Sequence, residues 1–74
     1  MTNAQKAKRL SHLRAGKTLG RAEQVEIFNI YLDTTGRAMG SLGNCGPCWI
    51  HQMDLIATLI GYKWNRDKKK YTKK

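Results

Sequence analysis

Pro47-Cys48-Trp49-Ile50-His51-Gln52-Met53-Asp54-Leu55-Ile56-Ala57-Thr58-Leu59-Ile60 is the stretch that decides how this 74-residue chain folds. Proline has a fixed φ and no N–H to lose, so it suits a first helical position, and Gly61 stands just past the other end. The spacing predicts a helix from Pro47 to about Ile60. Trp49, Ile50, Met53, Leu55, Ile56, Ala57, Leu59 and Ile60 are apolar beside a polar strip of His51, Asp54 and Thr58, so burial on most sides is expected. Two short helices cover only part of so wide a surface. A second copy of the chain or another protein is therefore expected against this third helix.

Upstream, two more helices are predicted. The first runs from Ala4 to Ala15, opened by Thr2 and Gln5 at the spacing of a reciprocal cap and closed by Gly16. Its apolar stripe is narrow, Ala7, Leu10 and Leu13 or Ala15, and Lys6, Lys8, Arg9, His12 and Arg14 cover the rest, so alone it would be marginal in water. The second runs from Arg21 to Asp33 or Thr34, between Gly20 and Gly36, with Glu23 in the favourable first turn. Val25, Phe28 and Leu32 mark its core face, widened by Ile27, Ile30 and Tyr31. Residues 36 to 46 hold four glycines and no periodic pattern, which reads as an irregular loop.

Downstream, Tyr62 and Trp64 alternate with Lys63, and the tail from Arg66 is expected to be disordered or ordered only on binding. The fold class is thus all-α: a small three-helix domain, or a helical hairpin with an added N-terminal helix, over residues 1–62, followed by a basic tail at 63–74. No repeat and no second domain is visible. A chain this short buries a small core and often relies on a staple. No apolar run approaches the roughly 18 residues of a membrane span, and the first residues carry no apolar signal core. A soluble protein made in the cytoplasm is expected.

Charge is distributed unevenly. Residues 1–17 carry Lys6, Lys8, Arg9, Arg14 and Lys17 against no acid, for +5; residues 63–74 carry +6; the stretch between them carries −2, for a net +9. A near-neutral middle with two strongly basic ends repels itself unless something negative is near, and a polyanion is the natural partner.

Both cysteines lie in Asn44-Cys45-Gly46-Pro47-Cys48-Trp49. In a reducing compartment such a pair is expected to be reduced, metal-bound or catalytic rather than a structural disulfide. Cys45-Gly46-Pro47-Cys48 resembles the active-site tetrapeptide of the thioredoxin family, which implies Cys45 as attacking and Cys48 as resolving thiol. The family's leading strand, its Trp before the first cysteine and its second proline have no counterpart here. A second reading is zinc. Cys45, Cys48 and His51 form Cys-x2-Cys-x2-His, and His12 or Asp54 would have to complete a four-ligand set. In the third reading the cysteines are small apolar residues at the junction of loop and helix. No paired carboxylates, Ser-His-acid set or phosphate-cradling loop points to hydrolysis or phosphoryl transfer. A non-enzyme without a cofactor is expected, zinc being the one candidate.

Ile27-Phe28-Asn29-Ile30-Tyr31, then Gly36, then a Cys-x-x-Cys opening a second apolar helix, resembles a pattern of small proteins encoded by tailed phages, especially of Bacteroidetes hosts. The pattern covers about half the chain, and Trp49 and Ile50 stand where a basic residue is usual. The resemblance implies an accessory role in a virion or on phage nucleic acid, without enzymatic turnover, in the host cytoplasm or the virion.

The function these features point to is nucleic-acid binding through phosphate contacts. Lys6, Lys8, Arg9, Arg14 and Lys17 form one candidate cluster, and Lys63, Arg66, Lys68, Lys69 and Lys70 the other. Trp64 and Tyr71 lie among the second and could stack on unpaired bases. Alternatives are a minor virion protein that docks through the third helix, and an inhibitor that sets the basic surface against the acidic groove of a host nucleic-acid enzyme.

Overall fold

The computed structural model describes residues 1–16 and 19–74: three helices and a C-terminal two-stranded hairpin. Helix α1 spans Asn3–Ala15. Its start is the expected reciprocal cap, with Thr2 Oγ1 accepting the Gln5 N–H at 3.1 Å and Gln5 Oε1 accepting the Thr2 N–H at 2.8 Å. Helix α2 spans Arg21–Thr35 and ends at Gly36, whose φ of 73° lets its N–H reach the Leu32 carbonyl at 2.8 Å. Helix α3 spans Gly46–Leu59 with Pro47 in its first turn.

The core is formed by Ala7, Leu10 and Leu13 of α1, Ile27 and Ile30 of α2, and Trp49, Met53, Ile56 and Ala57 of α3. The face that α2 buries differs from the expected one. Ile27 and Ile30 are sealed, Phe28 and Tyr31 flank them, and Val25 and Leu32 are exposed. The expected line of Val25, Phe28 and Leu32 lies on the flank of the i, i+3, i+4 stripe formed by Ile27, Ile30 and Tyr31. Helix α3 likewise buries one stripe, Trp49, Met53, Ile56 and Ala57, and leaves Ile50, Leu55 and Leu59 exposed. Trp49 is held at both ends: its ring tilts against Phe28 with centroids 5.5 Å apart, and its indole N–H donates to the Gly43 carbonyl at 2.9 Å, fixing the glycine-rich loop to the core.

The three helices match the expected class, but the tail is ordered. Strands β1 (Tyr62–Asn65) and β2 (Lys70–Lys73) pair antiparallel, with Trp64 opposite Tyr71 and Tyr62 opposite Lys73. The turn is closed by Asn65 Oδ1 accepting the Lys68 N–H at 3.0 Å, and Lys69 takes a left-handed φ of 52°. At the other end Lys74 donates to the Gly61 carbonyl at 3.0 Å. What orders this basic segment is its aromatic content. Tyr71 is 5% exposed within the helical core and Trp64 packs beside it, so the hairpin covers apolar surface that two helices alone would leave on α1 and α3. Residues 63–74 therefore share one core with 1–62. No helix among the described residues is long and apolar enough to cross a membrane.

Candidate nucleic-acid interface

The cations of α1 divide into two groups. Lys6, Arg9 and Arg14 each pair with an acid of another helix. Lys6 Nζ lies 3.2 Å from Asp33 and is itself 6% exposed. Arg9 Nη2 donates to Glu26 Oε1 at 2.8 Å, and Arg14 pairs with Asp54. Donation from Arg9 holds the Glu26 carboxyl below its usual range, and Glu26 in turn raises Arg9. These three cations take up the mid-chain acids Asp33, Glu26 and Asp54 and join α1 to its neighbours. Lys8 is exposed and has no ion pair among the described residues, while Lys17 lies outside them.

The two tail aromatics are also engaged internally. Trp64 and Tyr71 meet edge to face with centroids 5.1 Å apart, and the Arg14 guanidinium sits 4.3 Å from the Trp64 ring centroid. The Tyr71 hydroxyl donates to Asp54 Oδ1 at 2.6 Å and accepts from Arg14 Nη1 at 3.2 Å. Burial first, and the Asp54 carboxylate second, push the Tyr71 hydroxyl well above the ordinary phenol range. By contrast Lys63, Arg66, Lys68, Lys69, Lys70, Lys73 and Lys74 are all exposed, and none is in an ion pair among the described residues.

The two basic ends meet in space. A groove of about 700 Å³ runs between α1 and β2, with Lys8, Arg9 and His12 on one wall and Lys69, Lys70 and Lys73 on the other. Strand β2 can approach because α1 turns small side chains toward it: Ala4, Ala7, Ser11 and Ala15 line the same groove. Ser11 Oγ donates to the Ala7 carbonyl at 2.7 Å and accepts the Tyr71 N–H at 2.8 Å, so one hydroxyl satisfies one outward amide of the hairpin edge. His12, Lys73 and Lys74 were not among the nucleic-acid candidates. The signal for them was the small-residue period along α1 and the Tyr62, Trp64 alternation, which together mark a helix face and a strand that pack.

The cysteines are joined. A disulfide of 2.03 Å links Cys45 and Cys48, with Cys45 capping α3 and its Sγ accepting the Cys48 N–H at 3.3 Å. The expectation of a pair that is reduced, metal-bound or catalytic rather than a structural disulfide gives way to two bonded cysteines, which the two-residue spacing at a helix start allows. His51 is exposed on α3, Asp54 is engaged by Arg14 and Tyr71, and His12 lines the groove. Among the described residues no three His, Cys, Asp or Glu side chains are grouped to hold a metal ion. No family model, curated protein or solved structure matches this chain.

Proposed function

We propose that this protein is a non-enzymatic module that binds nucleic acid through its phosphates, using the α1/β2 groove and the hairpin. The observation that carries this reading is the partition of its cations. Those that meet acids bolt the helices together. Those without an acid partner among the described residues include Lys8 on α1 and Lys63, Arg66, Lys68, Lys69, Lys70, Lys73 and Lys74 on the hairpin and its end; Lys8, Lys69, Lys70 and Lys73 line one groove, where their mutual repulsion calls for a polyanion. Each phosphate neutralised releases a condensed counterion, so affinity falls steeply with salt. The interface contacts backbone rather than base edges, since no base-reading helix or motif is in view. Fluorescence anisotropy with labelled duplexes and single strands of several unrelated sequences, at low and high salt, tests it. Binding that ignores sequence and weakens with salt is expected, and no binding at low salt would end the proposal.

A second reading rests on α3. Leu55 and Leu59, one turn apart, are 43% and 56% exposed, and Ile50 is exposed as well. A minor virion protein docking through this face, with its lysines toward packaged nucleic acid, would use them. Light scattering after size exclusion separates the two, because a monodisperse monomer that binds nucleic acid without a partner fits only the first.

A further inference from the structure

We propose, resting on the nucleic-acid reading above, that the ligand is a duplex, straddled by the hairpin, and not a single strand. Single-strand binders offer aromatic faces on which unpaired bases stack. Here the aromatics are turned inward: of the two that line the groove, Tyr62 is half-buried and Tyr71 buried. None of the six aromatic side chains is exposed, and Trp64, the one placed among the tail cations, has the Arg14 guanidinium over its face and Tyr71 against it. A base could stack there only by displacing Arg14 and breaking its pair with Asp54.

The free cations instead form two rows at opposite ends of a stiff ribbon. The tip row is Arg66, Lys68, Lys69 and Lys70, held in shape by the Asn65 to Lys68 hydrogen bond. The base row is Lys63, Lys73 and Lys74, beyond the Trp64–Tyr71 rung and held by the Lys74 to Gly61 and Tyr71 to Ser11 backbone N–H bonds, while Lys8 faces β2 across the groove. Four steps from Lys69 to Lys73 at about 3.3 Å each give the two rows an outer span of roughly 13 Å. That span is close to the width of about 12 Å between the two phosphate backbones that border the major groove of B-form DNA, a groove that admits a two-stranded ribbon. A lone strand presents one backbone and would engage one row at a time.

The test compares wild-type affinity for a duplex of roughly twenty base pairs with that for either of its strands, in DNA and in RNA, at low salt. Two double variants accompany it, Arg66→Gln with Lys68→Gln at the tip and Lys73→Gln with Lys74→Gln at the base, each checked by circular dichroism for retained helicity. Duplex binding about tenfold or more tighter than single-strand binding, with each double variant losing about tenfold on the duplex, is the expected result. The DNA duplex is expected to bind more tightly than the RNA duplex, whose major groove is deep and narrow, and the reverse order would overturn the major-groove geometry. Single strands bound as tightly as duplex would overturn the inference while leaving phosphate binding intact. So would duplex binding that only one of the two rows affects. Binding to neither duplex nor single strand would remove the proposed function itself.

Discussion

Ser11 Oγ on α1 accepts the backbone N–H of Tyr71 on β2 at 2.8 Å, a bond between residues sixty positions apart. It stands at the seam where the two basic ends of the chain are brought together against their own repulsion. Ser11→Ala would leave a part-buried amide without a partner, at a cost of about 1–3 kcal/mol. Hydrogen exchange at the Tyr71 amide is expected to accelerate well beyond that of the α3 amides, and unchanged protection would show that the seam is held by packing alone.

Arg14 is a structural cation, whereas Lys8, six residues earlier on the same helix, is one of those proposed to meet the ligand. Arg14→Gln removes a charge-assisted bond to Asp54 and the cover over Trp64, for an expected loss of about 2 kcal/mol or more in stability. Lys8→Gln should change stability by no more than about 0.5 kcal/mol and lower nucleic-acid affinity. Urea denaturation and anisotropy on both variants check the contrast.

Stability should decline at alkaline pH in a way that depends on Tyr71. Its hydroxyl is raised in the folded state, so the contribution is fully present below the ordinary phenol value of about 10 and is lost as pH climbs above it, where the unfolded chain ionises more readily. Tyr71→Phe should flatten that decline while lowering neutral-pH stability by about 1 kcal/mol. Thermal melts of both proteins across the alkaline range give the difference.

The acid limb has the opposite sign. Glu26 is depressed by Arg9, so its contribution is present above the ordinary carboxyl value of about 4.3 and fades as pH falls through the folded value. Glu26→Gln should make the melting temperature less sensitive to acid below that point. An identical acid profile would mean that the ion pair adds nothing in solution.

The disulfide closes a loop of only a few residues, for which chain entropy gives a stabilisation of about 2 kcal/mol. The double variant Cys45→Ser with Cys48→Ser keeps a capping oxygen at the start of α3 and leaves Trp49, Met53 and Ile56 in the core. It should keep its helicity, melt a few degrees lower and bind nucleic acid as wild type does, since neither cysteine lines the α1/β2 groove. Loss of helicity on removing the pair would make it an essential staple.

Much of the scaffold was legible in local sequence. Thr2 with Gln5, Gly36 and Pro47 are signals confined to a few residues, and each marks a helix end as expected. The hairpin was not legible because its stability is tertiary. Lysines mask the strand pattern, and the case for order rests on Tyr71 finding Leu10 and Ala7 far away in sequence. The interface was half legible for the same reason. Net charge pointed toward a polyanion, but only the pairings Lys6–Asp33, Arg9–Glu26 and Arg14–Asp54 separate cations that hold the fold from those without an acid partner among the described residues.

The salt dependence of duplex affinity tests the central claim most directly. If Lys8, Arg66, Lys68, Lys69, Lys70 and Lys73 each meet a phosphate, log K should fall against log salt with a slope of about −5. A slope near zero, or no measurable binding at the lowest salt, would contradict the account.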